Sequence, residues 1–150
     1  MKNIPGSFLR YCIISMVMLC LWGCHSYMSQ QDLAGVWRLD NANLDYSKIE
    51  GSQSYIKESL DRVNAFKSAG MLLSLQPDST FTDIIGGSNS QGRWLYVPHK
   101  KVVQLQYSGV DSNPLELTAV RHWAGTLNAK VVVEGMPLRL LFIKQRHKGD

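Results

Sequence analysis

The stretch KVVQLQY, residues 101–107, alternates apolar and polar side chains: Val103, Leu105 and Tyr107 fall on one side, Gln104 and Gln106 on the other. Successive side chains of an extended strand point to opposite faces, so this pattern describes a strand with one buried and one wet face. The same signature recurs on both sides of it. Upstream, MLLSLQ (71–76) sets Met71, Leu73 and Leu75 against Leu72, Ser74 and Gln76, and TFTDII (80–85) and RWLYV (93–97) alternate in turn. Downstream, LELTAVRHW (115–123) reads with Leu115, Leu117, Ala119 and Trp123 in register. LNAKVVV (127–133) and PLRLLFIKQ (137–145) flank Glu134-Gly135, a tight-hairpin signal.

With GVWRLD (35–40) at the start, about eight strands result, separated by short connections: Pro77-Asp78, the glycine-rich GGSNSQG (86–92), PHK (98–100) and SGVDSNP (108–114). Strands joined by short turns pair with their neighbours in antiparallel fashion. Eight such strands, apolar on one face, close into an up-and-down barrel that removes exposed edges. An open sandwich is the competing architecture. One segment departs from period two. In SQSYIKESLDRVNAFKSAG (52–70), Ile56, Leu60, Val63 and Phe66 recur at helical spacing, with Glu58 and Arg62 four apart. Ser52 or Ser54 can cap its start and Gly70 its end. The fold class expected is therefore mainly β, an antiparallel barrel with one α-helix between the first and second strands. The helix would cover one barrel end or serve as a lid.

The beginning of the chain is different. Lys2 and Arg10 precede an apolar run from Tyr11 to Trp22, which as a helix spans roughly 18 Å, short of a hydrocarbon core of about 30 Å. A basic start, a short apolar middle and a small residue before a cut describe a secretory signal peptide. Leu21-Trp22-Gly23-Cys24 resembles the lipobox of bacterial lipoproteins, with Trp22 where a small residue is usual. The resemblance implies cleavage before Cys24, a diacylglycerol on its sulfur and an acylated amine. His25 in place of an aspartate implies the outer membrane of a Gram-negative envelope. The organisation is then signal peptide 1–23, lipidated tether 24–32 and barrel domain 33–147. Maturation removes Cys12 and Cys20 and makes Cys24 a thioether, leaving no free thiol or disulfide. It also removes Lys2 and Arg10, so 14 basic residues face all 12 acidic ones and the formal charge falls from +4 to +2. No clustered basic face calls for nucleic acid.

Gly35-Val36-Trp37 at the head of the first strand resembles the G-x-W signature of the lipocalins. Phe81, Gly92-Arg93-Trp94, the alternating VVQLQ and the closing EGMPLRLLFIKQR are similar to the small bacterial lipocalin-like domains. The helix after strand one is instead like that of fatty-acid-binding-type calycins. The arginine that packs over the tryptophan has Arg139 and Arg146 as candidates. What the resemblance implies is a calycin-like barrel able to hold a small hydrophobic molecule, with Trp37, Phe81, Trp94, Leu105, Tyr107 and Phe142 as candidate lining residues. The same aromatics can instead fill the interior, and either face of the Trp94–Tyr96 strand can be the inner one.

No catalytic set emerges. His99, His122 and His147 lack metal-ligand spacing, there is no G-x-S-x-G, and Gly86-Gly87-Ser88 is followed by no lysine or helix that would make it a phosphate loop. No cofactor or metal is expected. Asp83 lies inward under strict alternation, where an unpaired carboxylate is costly. It can sit at the barrel mouth, pair with Arg93 or contact a polar ligand group. The expected role is a membrane-anchored binding module, not an enzyme, for a small hydrophobic ligand. The alternative is a filled barrel that docks an envelope protein as inhibitor or accessory module.

Overall fold

The computed structural model describes residues 28–49, 53–111 and 113–145. A one-turn helix α1 (Gln30–Leu33) leads into eight strands: β1 (Gly35–Leu44), β2 (Met71–Leu75), β3 (Thr80–Ile85), β4 (Ser88–Val97), β5 (Val102–Tyr107), β6 (Leu115–Trp123), β7 (Thr126–Val133) and β8 (Met136–Lys144). A 3₁₀ turn (Tyr46–Lys48) and the 17-residue helix α2 (Gln53–Ala69) separate β1 from β2. Every strand pairs antiparallel with its sequence neighbour and β8 returns to β1, giving a closed up-and-down barrel. The sandwich alternative is thereby excluded.

The period-two runs form strands because each can bury its apolar side against the others. Met71, Leu73 and Leu75, then Phe81 and Asp83, then Val103 and Leu105 point inward as alternation requires, and Leu72, Ile84 and Gln106 point out. Trp94 and Tyr96 take the inner face of β4 and Leu95 the outer. Three turns, Gly86-Gly87, Ala124-Gly125 and Glu134-Gly135, place both central residues at positive φ. That geometry carries a twist matching the strands it joins, which is why glycine appears in each.

Two expectations fail at bulges. In β1 the buried positions switch from Trp37 to Ala42 and Leu44, because a bulge at Asp40 lets Leu39 pair with Phe142 and Asn41 with Leu141. The strand therefore runs to Leu44, beyond the GVWRLD segment. In β6 the register shifts between Thr118 and Arg121, and Ala119 takes a left-handed conformation (φ 51°). Ala119 and Trp123, expected inside with Leu117, are turned outward, Val120 goes in, and Trp123 is 80% exposed. The expected loop GGSNSQG is also shorter. Only Gly86-Gly87 turns, and Ser88–Gln91 continue as strand against β3 beyond the point where β5 ends at Tyr107.

The helix spans one barrel mouth. Its Arg62 bonds Glu134 on the β7–β8 turn at 3.3 Å, and its last residue, Ala69, abuts Gly86 on the β3–β4 turn across the barrel. Ser59 and Val63 are buried, with Ile56 and Phe66 partly so, while Leu60, expected on the same stripe, lies at its edge and is 37% exposed. α1 closes the other mouth with the fully buried Leu33.

A left-handed non-glycine residue costs about 1–2 kcal/mol. Ala119→Gly is expected to stabilise the barrel by about 1 kcal/mol, with unchanged topology, in urea denaturation.

Candidate functional site

A side chain on the wall of a ligand-sized hollow keeps surface that a water molecule can touch. Trp37, Leu105 and Phe142 expose 0% of theirs, Phe81 1% and Trp94 2%. Leu33, Leu73, Leu75, Leu127, Val103 and Val120 are equally enclosed. Five of the six candidate lining residues therefore meet in one packed core. Tyr107 is partly buried at its margin, edge-on to Phe81 with ring centroids 5.2 Å apart.

That margin holds the buried carboxylate. Asp83 points inward and accepts a hydrogen bond of 2.7 Å from the Tyr107 hydroxyl. The partner is thus Tyr107 and not Arg93, which stands on the outer face of β4 opposite Thr80. Burial, and then the Asp83 carboxylate, push the Tyr107 hydroxyl well above the ordinary phenol range, keeping it a donor. Gly92 leaves room for this pair of strands to bend inward; a Cβ there would meet the Gln106 carbonyl and, at 2.8 Å, the Phe81 ring.

At the α1 end, Trp37 donates through Nε1 to the Leu33 carbonyl at 2.8 Å and meets the His122 ring edge-on at 5.5 Å. Lys144 Nζ lies 5.2 Å above the Trp37 ring centroid. Among the described residues, Lys144 is thus the cation packed over the Trp37 ring. Arg139 is at the opposite end and Arg146 lies outside the described residues. So do His147 and the whole segment carrying Cys24. A surface groove of about 800 Å³ at this end is walled by Ala34, Leu75, Pro77, Gly125, Ile143 and Lys144. Gln30 ties α1 to the β2–β3 turn through Ser79 Oγ at 2.9 Å.

At the α2 end, an ion cluster that sequence reading did not find anchors the exit from β1. Asp45, 1% exposed, binds Lys130 Nζ at 2.8 Å, Arg139 at 2.6 Å and the Ser47 hydroxyl at 2.6 Å. Arg139 first, then Lys130 and Ser47, hold its carboxyl far below the usual carboxylate range. Lys130 and Arg139 face each other in the β7–β8 ladder, so a register argument could have paired them but not named Asp45 as their acceptor. Beside it a crevice of about 430 Å³ runs between α2 and the β7–β8 hairpin, lined by Val63, Phe66, Val133, Met136 and Leu138. Arg62, bonded to Glu58 at 2.8 Å and to Glu134, forms its lip. Among the described residues no group of three histidines, cysteines or carboxylates could hold a metal ion, and no helix is long and apolar enough to cross a membrane.

Fold and site define a helix-capped, eight-stranded barrel whose core side chains are enclosed, with one groove at the α1 end and a crevice under α2. No family model and no curated protein matches the chain. Among solved structures it is similar to a DUF4847 family protein from Bacteroides vulgatus ATCC 8482, at 15% identity and a TM-score of 0.46, covering 75% of this chain and 95% of that one.

A depressed folded-state pKa contributes stability that is complete above the unfolded value and lost as pH falls through the folded one. The Asp45 contribution should therefore be present at neutral pH and fade below about pH 4. Denaturation at pH 7 and at low pH is expected to show Asp45→Asn less stable than the parent at pH 7, with the gap closing on acidification.

Proposed function

We propose that the chain is an envelope lipoprotein whose barrel is a solid body, and that it works from its outer surface as a docking module for another envelope protein. The observation that supports this most strongly is the filled interior. A carrier needs a vacant, apolar volume, and here Trp37, Phe81, Leu105 and Phe142 occupy it. On the outside, Leu72 and Ile84 stand opposite each other on β2 and β3 with their side chains exposed. The lipobox-like Leu21–Cys24 at the end of an apolar run supports the anchor. The G-x-W strand and the eight-strand closure support the calycin likeness.

One observation favours a second reading, in which a small hydrophobic ligand is held. The crevice under α2 has an apolar lining and a volume of about 430 Å³, within the range of small-molecule sites. On this reading the ligand sits between helix and hairpin, at the α2 mouth of the barrel and above the packed Phe81–Phe142 core.

The two are separated by measurements on protein extracted from membranes. A packed Phe142 predicts that Phe142→Ala costs about 3–5 kcal/mol in denaturant, whereas a side chain lining a hollow would cost far less. Native mass spectrometry should give the mass of the acylated polypeptide alone, and Ile84→Lys should abolish cross-linking to its envelope partner. A bound lipid-like mass that Phe66→Ala removes would replace the docking reading with the crevice reading.

A further inference from the structure

Trp123 is unexplained by anything above. A bulky indole left 80% exposed gives up much of the burial it could have had, and a local device puts it there. Without the bulge at Ala119, alternation from Leu117 would turn Trp123 into the core. With it, Val120 and then His122, edge-on to Trp37, take the inner side, and the indole stands out beside the Ala124-Gly125 turn.

Turns of an up-and-down barrel alternate between its two ends. The β2–β3, β4–β5 and β6–β7 turns thus share one end with α1, the start of β1 and the close of β8. Contacts confirm the grouping: Ala34, Pro77, Gly125 and Lys144 line one groove, and Lys144 donates through its backbone to the Gly125 carbonyl at 2.8 Å. The charged groups there include Lys100 and Lys101 on the β4–β5 turn, Lys144 at the end of β8, Arg121 on β6 and Arg93 opposite Thr80, with His99 and His122 nearby. Facing them are Asp32, which caps α1 with Ser29, and Asp78, which is bonded to Thr80. The balance is cationic around an exposed indole.

The chain outside the described residues meets the fold at this same end. Met28 packs against the core, and Cys24 precedes it by four residues. Fully extended, that length reaches at most about 14 Å. An acylated Cys24 would hold the α1 end within that distance of the bilayer, and this clause rests on the lipoprotein reading above. Tryptophan favours the membrane–water interface, where one edge is apolar and the other wet, and lysines beside it complement anionic headgroups. We propose that the α1 end of the barrel is a membrane-contact face, with Trp123 seated among the headgroups of an anionic lipid surface and Lys100 and Lys101 of the neighbouring turn beside it. The barrel then stands on the bilayer in one orientation, with α2 and its crevice directed away.

The test uses full-length protein matured in cells, purified from membranes and placed in vesicles of phosphatidylethanolamine and phosphatidylglycerol, or of phosphatidylcholine, each with brominated acyl chains. Trp22 is cleaved away on this reading and Trp37 and Trp94 are buried, so lipid-dependent quenching reports Trp123. In anionic vesicles most of the Trp123 emission should be lost and shifted to the blue. Trp123→Ser should remove the effect, and Lys100→Glu with Lys101→Glu should weaken it, as should neutral lipid. Trp123 equally open to an aqueous quencher with and without vesicles overturns the proposal. Protection that appears in detergent as protein concentration rises also overturns it, since a second copy would then be the occupant. Intact mass keeps the two readings apart. An unmodified amino terminus removes the anchor itself, whereas an acylated terminus with an unquenched Trp123 removes only the contact face.

Discussion

The β1–β8 ladder is the contact on which the rest of the molecule depends. Seven of the eight strand pairings join segments adjacent in sequence, but this one joins residues such as Trp37 and Lys144, a whole domain apart. Until it forms, two strand edges carry unpaired backbone groups and the inner faces have nothing to enclose them. Once formed, it brings Trp37 beneath Lys144 and beside Phe142, and it sets the Asp45 carboxylate against the Arg139 side chain. The bulge at Asp40 belongs to the same closure. It bends β1 so that one strand can follow the curve of the wall from α1 to the α2 end.

How polar groups are handled at the two margins of the core follows from this closure. Asp83 sits one inward position along β3 from Phe81, which faces Gly92, and its strong partner among the described residues is a phenol that burial keeps protonated. Asp45 sits where β1 leaves the sheet and takes two cations and a hydroxyl. Both carboxylates satisfy the rule that a buried charge must be paired, but with different chemistry. The neutral donor suits the enclosed margin, and the cationic pair suits a rim where Lys130 and Arg139 remain partly open to water.

Much of the barrel could be read from residues alone, because period two is a strong signal wherever one face is wet. β2 and β3 follow it residue by residue, β5 does so from Val103 onward, and Gly70 and Gly86-Gly87 mark real boundaries. The signal breaks where a single residue changes face. NANL (41–44) falls outside the segment that reads as the first strand because the bulge at Asp40 interrupts the alternation, and the tail of β6 reads inside out because Ala119 adopts a conformation that its side chain does not announce. Of the candidate site, the inward direction of Phe81, Asp83 and Leu105 was legible. That Phe81 and Leu105 are packed and not lining a hollow was not, since filling depends on volumes contributed by all eight strands at once. The Asp45 cluster was hidden for a similar reason: its members lie 85 and 94 positions apart.

Helix α2 crosses from the β7–β8 turn to the β3–β4 turn, which lie on opposite sides of the ring of strands. A cylinder held only by its hoop of hydrogen bonds can be squeezed toward an oval without breaking any of them. The half of α2 from Arg62 to Ala69, about 10 Å of helix, lies between these two contacts and resists that squeeze. The helix thus acts as a crossbar as well as a cover, so the cross-section near it keeps its roundness and the outer wall presents a fixed curvature to whatever lies against it.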